Sequence, residues 1–316
     1  MHTLTVGIAQ IAPILLDRDA TLARVESLVA EAGRAGCGLV CFGEGLVPGY
    51  PFWLSAMHGS AFDDPVQKAI HARYLAEAVD VEAGHLDGVR AAAETHGVAV
   101  YLGIVERPRD RGGYSLYCSL VHIRADGAIA SVHRKLQPTY EERLAWGPGD
   151  GHGLRAHACG PFRVGGLNCW ENWMPLARAS LYALGVDLHV AVWPGAVRNT
   201  VDVTRFIAAE SRSFVVSASG LMRAADVAAD FPHREAFLAA APAVMADGGS
   251  CVAGPDGRWV LAPQAGSEGL LAVELDARRV REERQSFDPS GHYARPDVTQ
   301  LTVDRTRGAV ARFAGG

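Results

Sequence analysis

Short apolar runs alternate with amphipathic segments along the amino-terminal part of the chain. Residues 4–9 form an apolar run of strand length, and residues 39–42 form a second one. Between them, apolar residues recur at the spacing of an amphipathic helix, for which Asp19 is the predicted N-terminal cap. The pattern therefore predicts a β-α-β unit, from which parallel or mixed sheets covered by helices are built.

The same alternation continues to about residue 275. It predicts helices at 65–79, 86–95, 175–184 and 203–212, and strands at 98–105, 163–168, 188–192, 214–218 and 270–275. Two hairpins are predicted, one around Ala125-Asp126-Gly127 and one around Gly254-Pro255-Asp256-Gly257. From about residue 278 the chain is rich in Arg, Asp, Gly and Pro, which predicts an extended arm. No linker precedes the arm, so the sequence predicts one domain over residues 1–316.

Composition excludes several classes of protein. The chain has 316 residues, of which 49% are hydrophobic and 21% are charged, close to the average for globular domains. The net charge is -5 and no long basic run occurs, so the sequence does not predict a nucleic-acid partner. The first residues lack the basic segment of a signal peptide, and no stretch approaches the roughly 18 apolar residues of a membrane helix. We therefore expect a cytoplasmic protein without membrane contact.

The cysteine and histidine spacings do not predict a metal centre. Six cysteines occur, without a C-x-x-C pair or zinc spacing. We expect reduced cysteines, five of which behave as small buried hydrophobic residues. His133, His152, His157 and His292 are scattered without ligand spacing. The sequence accordingly predicts no metal and no other cofactor.

Three segments combine a reactive side chain with a backbone that could aim it. Glu44 follows a buried strand and lies between two glycines, Lys135 ends a hairpin strand, and Cys169 lies where a strand turns towards a helix. A nearby helix N-terminus would favour the thiolate of Cys169. Each residue also has a structural interpretation: a solvated turn glutamate, a surface lysine and a buried cysteine.

The order of the three segments is more informative than any one of them. The segments FGEGLVPGYPFW, HRKLQPTYEERLAWGPGDG and GGLNCWENWMPLAR together resemble the nitrilase branch of the carbon–nitrogen hydrolase superfamily. The segment DPSGHYARPDV near the carboxyl terminus is similar to the end of that branch. The resemblance extends over about residues 4–298. It implies a four-layer α-β-β-α sandwich, with two sheets packed face to face and helices outside.

The resemblance also implies catalytic roles. Cys169 matches the family's nucleophile, Glu44 its general base and Lys135 its catalytic lysine, while Glu142 matches a second glutamate beside the lysine. The implied reaction converts a small-molecule nitrile to a carboxylic acid and ammonia through a cysteine thioimidate and an acyl-thioester. We expect an apolar substrate pocket, and its predicted wall residues are Tyr50, Trp53, Trp146, Trp170 and Trp193.

Other readings of the sequence remain open. The same residues would serve an amidase or a carbamoylase of the superfamily, or an enzyme that hydrolyses cyanide. A non-catalytic α/β scaffold or thiol sensor belongs to a different class. By resemblance, the chain is expected to form a homodimer or a larger spiral homo-oligomer. The helix at 175–184 and the arm from about residue 278 are the predicted subunit contacts.

Overall fold

Two β-sheets form the centre of the computed structural model, which describes residues 2–311. The first sheet has six strands in the order β13-β1-β2-β3-β4-β5, and the second has seven, in the order β10-β11-β9-β8-β7-β6 with β12 paired to β11. The strands are β1 (Thr3–Gln10), β2 (Leu39–Phe42), β3 (Ala99–Glu106), β4 (Tyr117–Ile123), β5 (Ile129–Arg134), β6 (His157–Cys159), β7 (Phe162–Asn168), β8 (Leu188–Trp193), β9 (Phe214–Ser219), β10 (Leu221–Arg223), β11 (Val244–Ala253), β12 (Trp259–Ala265) and β13 (Gly269–Asp276).

Within residues 2–311, eight α-helices connect or flank the strands. They are α1 (Arg18–Arg34), α2 (Trp53–Ala56), α3 (Pro65–Glu77), α4 (Asp87–His96), α5 (Pro175–Ala183), α6 (Val197–Ser211), α7 (Arg234–Ala240) and α8 (Arg278–Arg284). None of the helices in residues 2–311 has the length and hydrophobicity needed to cross a membrane.

The main apolar core lies between the two sheets. Side chains such as Val6 and Leu120 from the first sheet pack against Val190, Phe214 and Val216 from the second. The outer face of the first sheet is covered by α1 and α4, and the outer face of the second by α5 and α6. Each strand of the centre is therefore buried on both faces, which explains its nearly continuous apolar sequence. The predicted four-layer α-β-β-α sandwich is confirmed.

Several local elements differ from the sequence prediction. Asp17, not Asp19, caps α1 and accepts a hydrogen bond from the Ala20 N–H. Helix α6 begins at Val197, six positions before the predicted start at residue 203, because its first turn is polar and half-exposed and lacks a helical apolar pattern. The predicted extended arm begins with the short helix α8, whose Val280 side chain packs into the main core.

The topology brings several strand ends to one edge of the sandwich. Strands β1, β2 and β3 are parallel to one another, and β5 has the same direction because β4 is antiparallel to both of its neighbours. In the second sheet β7, β8 and β9 are parallel. The Glu44 N–H donates to the Trp193 carbonyl (3.1 Å), which ties the end of β2 to the end of β8. Residues that follow β2, β5 and β7 therefore meet between the sheets.

A histidine lies within the interior of the sandwich. The His122 ring on β4 stacks on Tyr101 with a centroid distance of 4.5 Å, and His157 covers its other side at 4.5 Å. Burial, together with the neighbouring His157, lowers the pKa of His122 to about 3. The folded protein thus holds this imidazole neutral.

This histidine should make the fold sensitive to acid. An unfolded histidine takes up a proton near pH 6.5, whereas folded His122 does so only near pH 3, so stability is lost as pH falls below about 6.5. The loss is about 1.4 kcal/mol per pH unit for one such group. We expect His122→Phe to reduce the difference in unfolding free energy between pH 7 and pH 5 by about 2 kcal/mol.

Urea unfolding at the two pH values checks this prediction. His292→Phe, at an exposed position of the arm, is the matched control and should behave as the parent protein does. An unchanged pH dependence in His122→Phe would show that the buried imidazole is not the acid-sensitive group.

Candidate active site

Glu44 lies immediately after β2, in a turn that only small neighbours permit. A side chain at Gly103 on the adjacent strand would clash with the Gly43 carbonyl oxygen and the Glu44 backbone, and Gly45 has a φ of +56°. These glycines let the turn lie directly against β3. The Glu44 carboxylate is consequently 98% buried, with its backbone fixed by Trp193.

Lys135 joins two buried carboxylates. It follows β5, and its Nζ lies 2.9 Å from Glu44 Oε1 and 2.6 Å from Glu142 Oε2. The Trp146 ring lies beside the ammonium, with 5.8 Å between Nζ and the ring centroid. Burial opposes the charged form, but Glu44 and the other nearby anionic groups raise the pKa of Lys135 well above its usual value. Lys135 is therefore a permanent cation at the base of the site.

The Glu142 carboxylate accepts hydrogen bonds from three donors. It lies on the single 3₁₀ turn Tyr140–Leu144. Its Oε2 accepts from Lys135 and from the Thr139 N–H (2.6 Å), and its Oε1 accepts from the Tyr50 hydroxyl (2.9 Å). Both oxygens of the Glu142 carboxylate therefore accept hydrogen bonds, which fix the orientation of the carboxylate beside Lys135.

Cys169 occupies a strained backbone position at the end of β7. Its φ is +45°, in a region that non-glycine residues adopt rarely. Cys169 is also the first residue of the 3₁₀ turn Cys169–Trp173. The Asn172 amide donates to the Cys169 carbonyl (2.8 Å) and is itself fixed by His189 (2.7 Å). The turn directs the Cys169 sulfur to the carboxylates, since one oxygen each of Glu44 and Glu142 and this sulfur all lie within 4.8 Å of one another.

The protonation states differ from the sequence expectation of a helix-stabilised thiolate. Cys169 begins a 3₁₀ turn and not an α-helix, and its side chain is buried. Burial, followed by repulsion from Glu44, raises the pKa of the Cys169 thiol well above its usual value, although Lys135 and the Trp170 N–H oppose the shift. Burial also raises the pKa of Glu44 to about 7 despite the attraction of Lys135. The resting site therefore contains a neutral thiol beside a carboxylate able to take up a proton near neutral pH.

Glu171 connects the segments that carry Lys135 and Cys169. Its Oε1 accepts from the Leu136 N–H (2.6 Å), its Oε2 accepts from the Asn168 N–H (2.8 Å), and both oxygens lie 3.1 Å from His133 Nε2. Leu136 and Asn168 belong to different sheets. One buried carboxylate thus fixes the distance between the lysine and the cysteine. The spacing of Asn168 and Glu171 matches a capping box, and this sequence pattern indicates that Glu171 binds the Asn168 N–H.

Cys118 is a second residue that sequence reasoning missed. Its thiol on β4 donates to Glu44 Oε1 (3.5 Å), and its carbonyl accepts from the Lys135 N–H (2.7 Å). Glu44 Oε2 has no hydrogen-bond partner among residues 2–311. Cys118 and Lys135 therefore bind one oxygen of the base and leave the other available. No sequence spacing signals this contact, because it depends on how β4 pairs with its neighbours.

A cleft of about 250 Å³ leads to Cys169. Its walls are contributed by turns and helix ends from both sheets. They consist of Tyr50, Phe52, Ser55, Thr139, Glu141, Glu142, Cys169, Trp170, Pro194, Gly195, Ala196, Arg198, Asn199, Met245 and Ala246. Polar and charged residues form a large part of this wall, in contrast to the apolar pocket expected from the sequence.

The five predicted pocket aromatics divide into two groups. Tyr50 and Trp170 line the cleft. Trp53, Trp146 and Trp193 are at least 98% buried and lie behind its wall, where Trp146 donates to Tyr74 and Trp193 donates to Ser217. The sequence indicated burial for these three residues but not which layer each one faces. These three side chains are absent from the wall of the cleft, and their contact with substrate stays a prediction.

A larger surface cleft lies elsewhere on the molecule. It has a volume of about 480 Å³ and is bordered by α3, Phe62 and Tyr114. None of Glu44, Lys135, Glu142 and Cys169 lines it. We therefore place the candidate site in the smaller cleft, where the reactive groups converge. The Glu44, Glu142 and Cys169 donor atoms there are close enough to hold a metal ion, although Lys135 already supplies a positive charge between the carboxylates.

Comparisons with known proteins show the family and the fold of the chain. The family model described as "Carbon-nitrogen hydrolase" matches residues 5–285. The chain is 34% identical to nitrilase 2 from an unknown prokaryotic organism over 99% of this chain and 96% of that protein. It is 32% identical to an aliphatic nitrilase of Rhodococcus rhodochrous, over 96% and 83% of the two chains. A carbon–nitrogen hydrolase from Helicobacter pylori G27 has a similar fold, with a TM-score of 0.70, 20% identity and coverage of 94% and 97%.

The charges around Cys169 make opposite predictions for two variants. Glu142 raises the pKa of Cys169 and Lys135 lowers it. Glu142→Gln, which preserves the side-chain shape, should therefore lower this pKa and speed alkylation by iodoacetamide at pH 7.5, whereas Lys135→Met should slow alkylation. We expect a change of roughly tenfold in each direction, which corresponds to one pKa unit.

Alkylation rates measured from pH 6 to pH 10, with peptide mapping to identify the labelled cysteine, check this pair. Cys251→Ala, outside the cleft, is the control and should leave the Cys169 rate unaltered. Equal shifts of the same sign in both variants would contradict the electrostatic account.

Proposed function

The chain belongs to the carbon–nitrogen hydrolase family and hydrolyses carbon–nitrogen bonds, and from this premise we propose that it is a nitrilase. Relatives named nitrilase are 32–34% identical to it over nearly its whole length. The site geometry supports the proposal, because a buried thiol, two carboxylates and one ammonium converge at the cleft that leads to Cys169. Cys169 is the proposed nucleophile, Glu44 the general base, and Lys135 and Glu142 the charged pair that supports them.

Proton transfer and carbon–sulfur bond formation are coupled in the first step. Glu44 Oε2 takes the proton of Cys169 as the sulfur attacks the nitrile carbon, and one C–N π bond becomes the lone pair of the new imine nitrogen. Glu44 then returns the proton to this nitrogen, which gives a neutral thioimidate. Lys135 and the Trp170 N–H stabilise the negative charge that develops on nitrogen. A well-placed donor of this kind is worth about 3–4 kcal/mol in the transition state.

Two water molecules complete the reaction. Glu44 removes a proton from the first water as its oxygen adds to the thioimidate carbon, and the tetrahedral intermediate expels ammonia after protonation of its nitrogen. The resulting acyl-thioester reacts with a second water through the same base. Sulfur leaves as the thiol and the carboxylic acid is released. Expulsion of sulfur in place of ammonia from the first tetrahedral intermediate would release an amide.

A surface next to the cleft supports the proposed homo-oligomer. Trp173, Met174, Leu176 and Phe206 are large apolar side chains that are 37–69% exposed on α5, α6 and the turn before α5. The Trp173 and Phe206 rings stack with 6.5 Å between centroids. We define these four residues as the α5–α6 patch. Contiguous exposed apolar side chains are typical of subunit contacts, and a patch that binds its own copy would form a two-fold dimer. The arm after α8 is the second proposed contact.

Ammonia release from nitriles tests the proposed activity. Aryl, arylacetyl and aliphatic nitriles, potassium cyanide and the matching amides would be assayed with the parent protein and with Cys169→Ala. We expect ammonia from organic nitriles, and a decrease of at least about 10⁴-fold in the variant because the nucleophile is absent.

The control variant is Cys251→Ala, which removes another buried cysteine and should retain turnover. Hydrolysis of the amides alone would reassign the protein to the amidases, and turnover of cyanide alone would reassign it to cyanide hydrolysis. The absence of ammonia from every compound would refute the catalytic proposal.

A charge in the α5–α6 patch should disrupt the assembly. Leu176 is 69% exposed, so Leu176→Asp should fold normally yet oppose burial of the patch between subunits. Sedimentation velocity should show a smaller species for this variant. Tyr114→Asp, at an exposed position bordering the larger cleft, should sediment as the parent does. A parent protein that is already monomeric would exclude the proposed dimer.

A further inference from the structure

Two opposite charges in the catalytic cleft have no use in the proposed reaction. Arg198 and Glu141 both line the 250 Å³ cleft that contains Cys169. Neither makes an ion pair within 4.0 Å of an oppositely charged group among residues 2–311. The other two carboxylates of the site, Glu44 and Glu142, are already paired with Lys135. Arg198 and Glu141 are therefore charged groups available to a ligand.

The fold places these two charges on different walls. Glu141 belongs to the 3₁₀ turn after β5, which extends from the first sheet. Arg198 lies in the first turn of α6, which follows β8 of the second sheet. The N-cap residue of this helix is Ala196, which has no capping side chain, and the positive end of the helix adds to the potential near Arg198. One side of the cleft thus attracts an anion and the other side attracts a cation.

The other charged groups near the cleft do not remove this polarity. Asp247 borders the adjoining groove beside Arg198 but accepts from the Val197 N–H (3.3 Å). Arg143, in the same turn as Glu141, donates to the Pro138 carbonyl (3.1 Å) and does not line the cleft. Arg198 is exposed and Glu141 is half-exposed, so a neutral aromatic nitrile would leave both charges to solvent. A ligand that carries both charges would pair with each of them.

We propose that the preferred substrate is a dipolar nitrile, with a carboxylate that pairs with Arg198 and an ammonium group that pairs with Glu141. Arg198 can hold a carboxylate through two parallel N–H donors, a geometry that lysine does not offer. Recognition at both ends leaves the cyano carbon to face Cys169. This assignment rests on the proposed nitrilase function and adds the chemical class of the substrate.

Four nitriles built on one carbon chain test the assignment. They are 2-amino-4-cyanobutanoate with both charges, 4-cyanobutanoate with the carboxylate alone, 4-aminopentanenitrile with the ammonium alone, and uncharged pentanenitrile. The readouts are kcat/KM from ammonia release and the affinity of Cys169→Ala for each compound by calorimetry. We expect the dipolar nitrile to be preferred over pentanenitrile by roughly 10²-fold or more, since two charge-assisted contacts are gained.

Variants assign each charge to its partner. Arg198→Met should reduce the preference for a carboxylate roughly tenfold, and Glu141→Gln should reduce the preference for an ammonium group by a similar factor. Arg143 lies in the same 3₁₀ turn as Glu141 but outside the cleft. Arg143→Met removes its positive charge and should leave both preferences unaltered. If Arg143→Met has the same effect as Arg198→Met, general electrostatics and not direct pairing explains the selectivity.

The measurements separate this inference from the proposed function. Turnover of pentanenitrile with no preference for the charged compounds would overturn the dipolar substrate and leave the nitrilase proposal intact. Selective binding of 2-amino-4-cyanobutanoate by Cys169→Ala, with no ammonia from the parent protein, would retain the recognition site and refute nitrile hydrolysis. Equal affinity of Cys169→Ala for all four compounds would exclude the recognition site.

Discussion

The ammonium group of Lys135, buried between Glu44 and Glu142, is the interaction on which the rest of the site depends. A buried ammonium alone would lose its proton, and two carboxylates this close would repel each other. In the three-residue group, the attraction between the ammonium and the two carboxylates offsets part of the cost of burying each charge, although the desolvation cost remains large. This explains why both carboxylates are held by further donors: Tyr50 and Thr139 on Glu142, and Cys118 on Glu44.

This charged group comes from segments that follow β2 and β5 of the first sheet, and Cys169 reaches it from the second sheet. An apolar core alone would not align the two accurately. Burial of apolar area is non-directional, so polar contacts must fix the position of one sheet relative to the other. Glu171 does this between the ends of β5 and β7, and the hydrogen bond from Glu44 to Trp193 does it between the ends of β2 and β8. Glu171 and Glu44 are both buried, and the low local dielectric strengthens the hydrogen bonds that they make. Catalytic geometry at this edge therefore follows from a few hydrogen bonds that link the layers.

The sequence predicted those features that depend on local pattern. Buried strands were recognised by their apolar runs, and Glu44, Lys135 and Cys169 were placed at strand ends where parallel strands converge. The resemblance added the four-layer arrangement and the candidate Glu142. The role of Cys118 was missed because its contact with Glu44 joins residues 74 positions apart. Trp53, Trp146 and Trp193 were predicted to line the pocket but are buried outside the lining of the cleft, since an aromatic residue type indicates burial but not which layer it faces.

The protonation state of Cys169 is the clearest case in which burial overrides a local signal. A strand that turns into a helix suggests a thiolate, but a thiolate here would be an additional anion beside two carboxylates with little solvent to screen it. The protein instead retains the neutral thiol and raises the pKa of Glu44 to about 7. A carboxylate with this pKa can both accept the thiol proton and return it to nitrogen near neutral pH, whereas one with an ordinary pKa would accept the proton poorly. The negative charge then forms only as sulfur attacks, when it can move to the substrate nitrogen near Lys135.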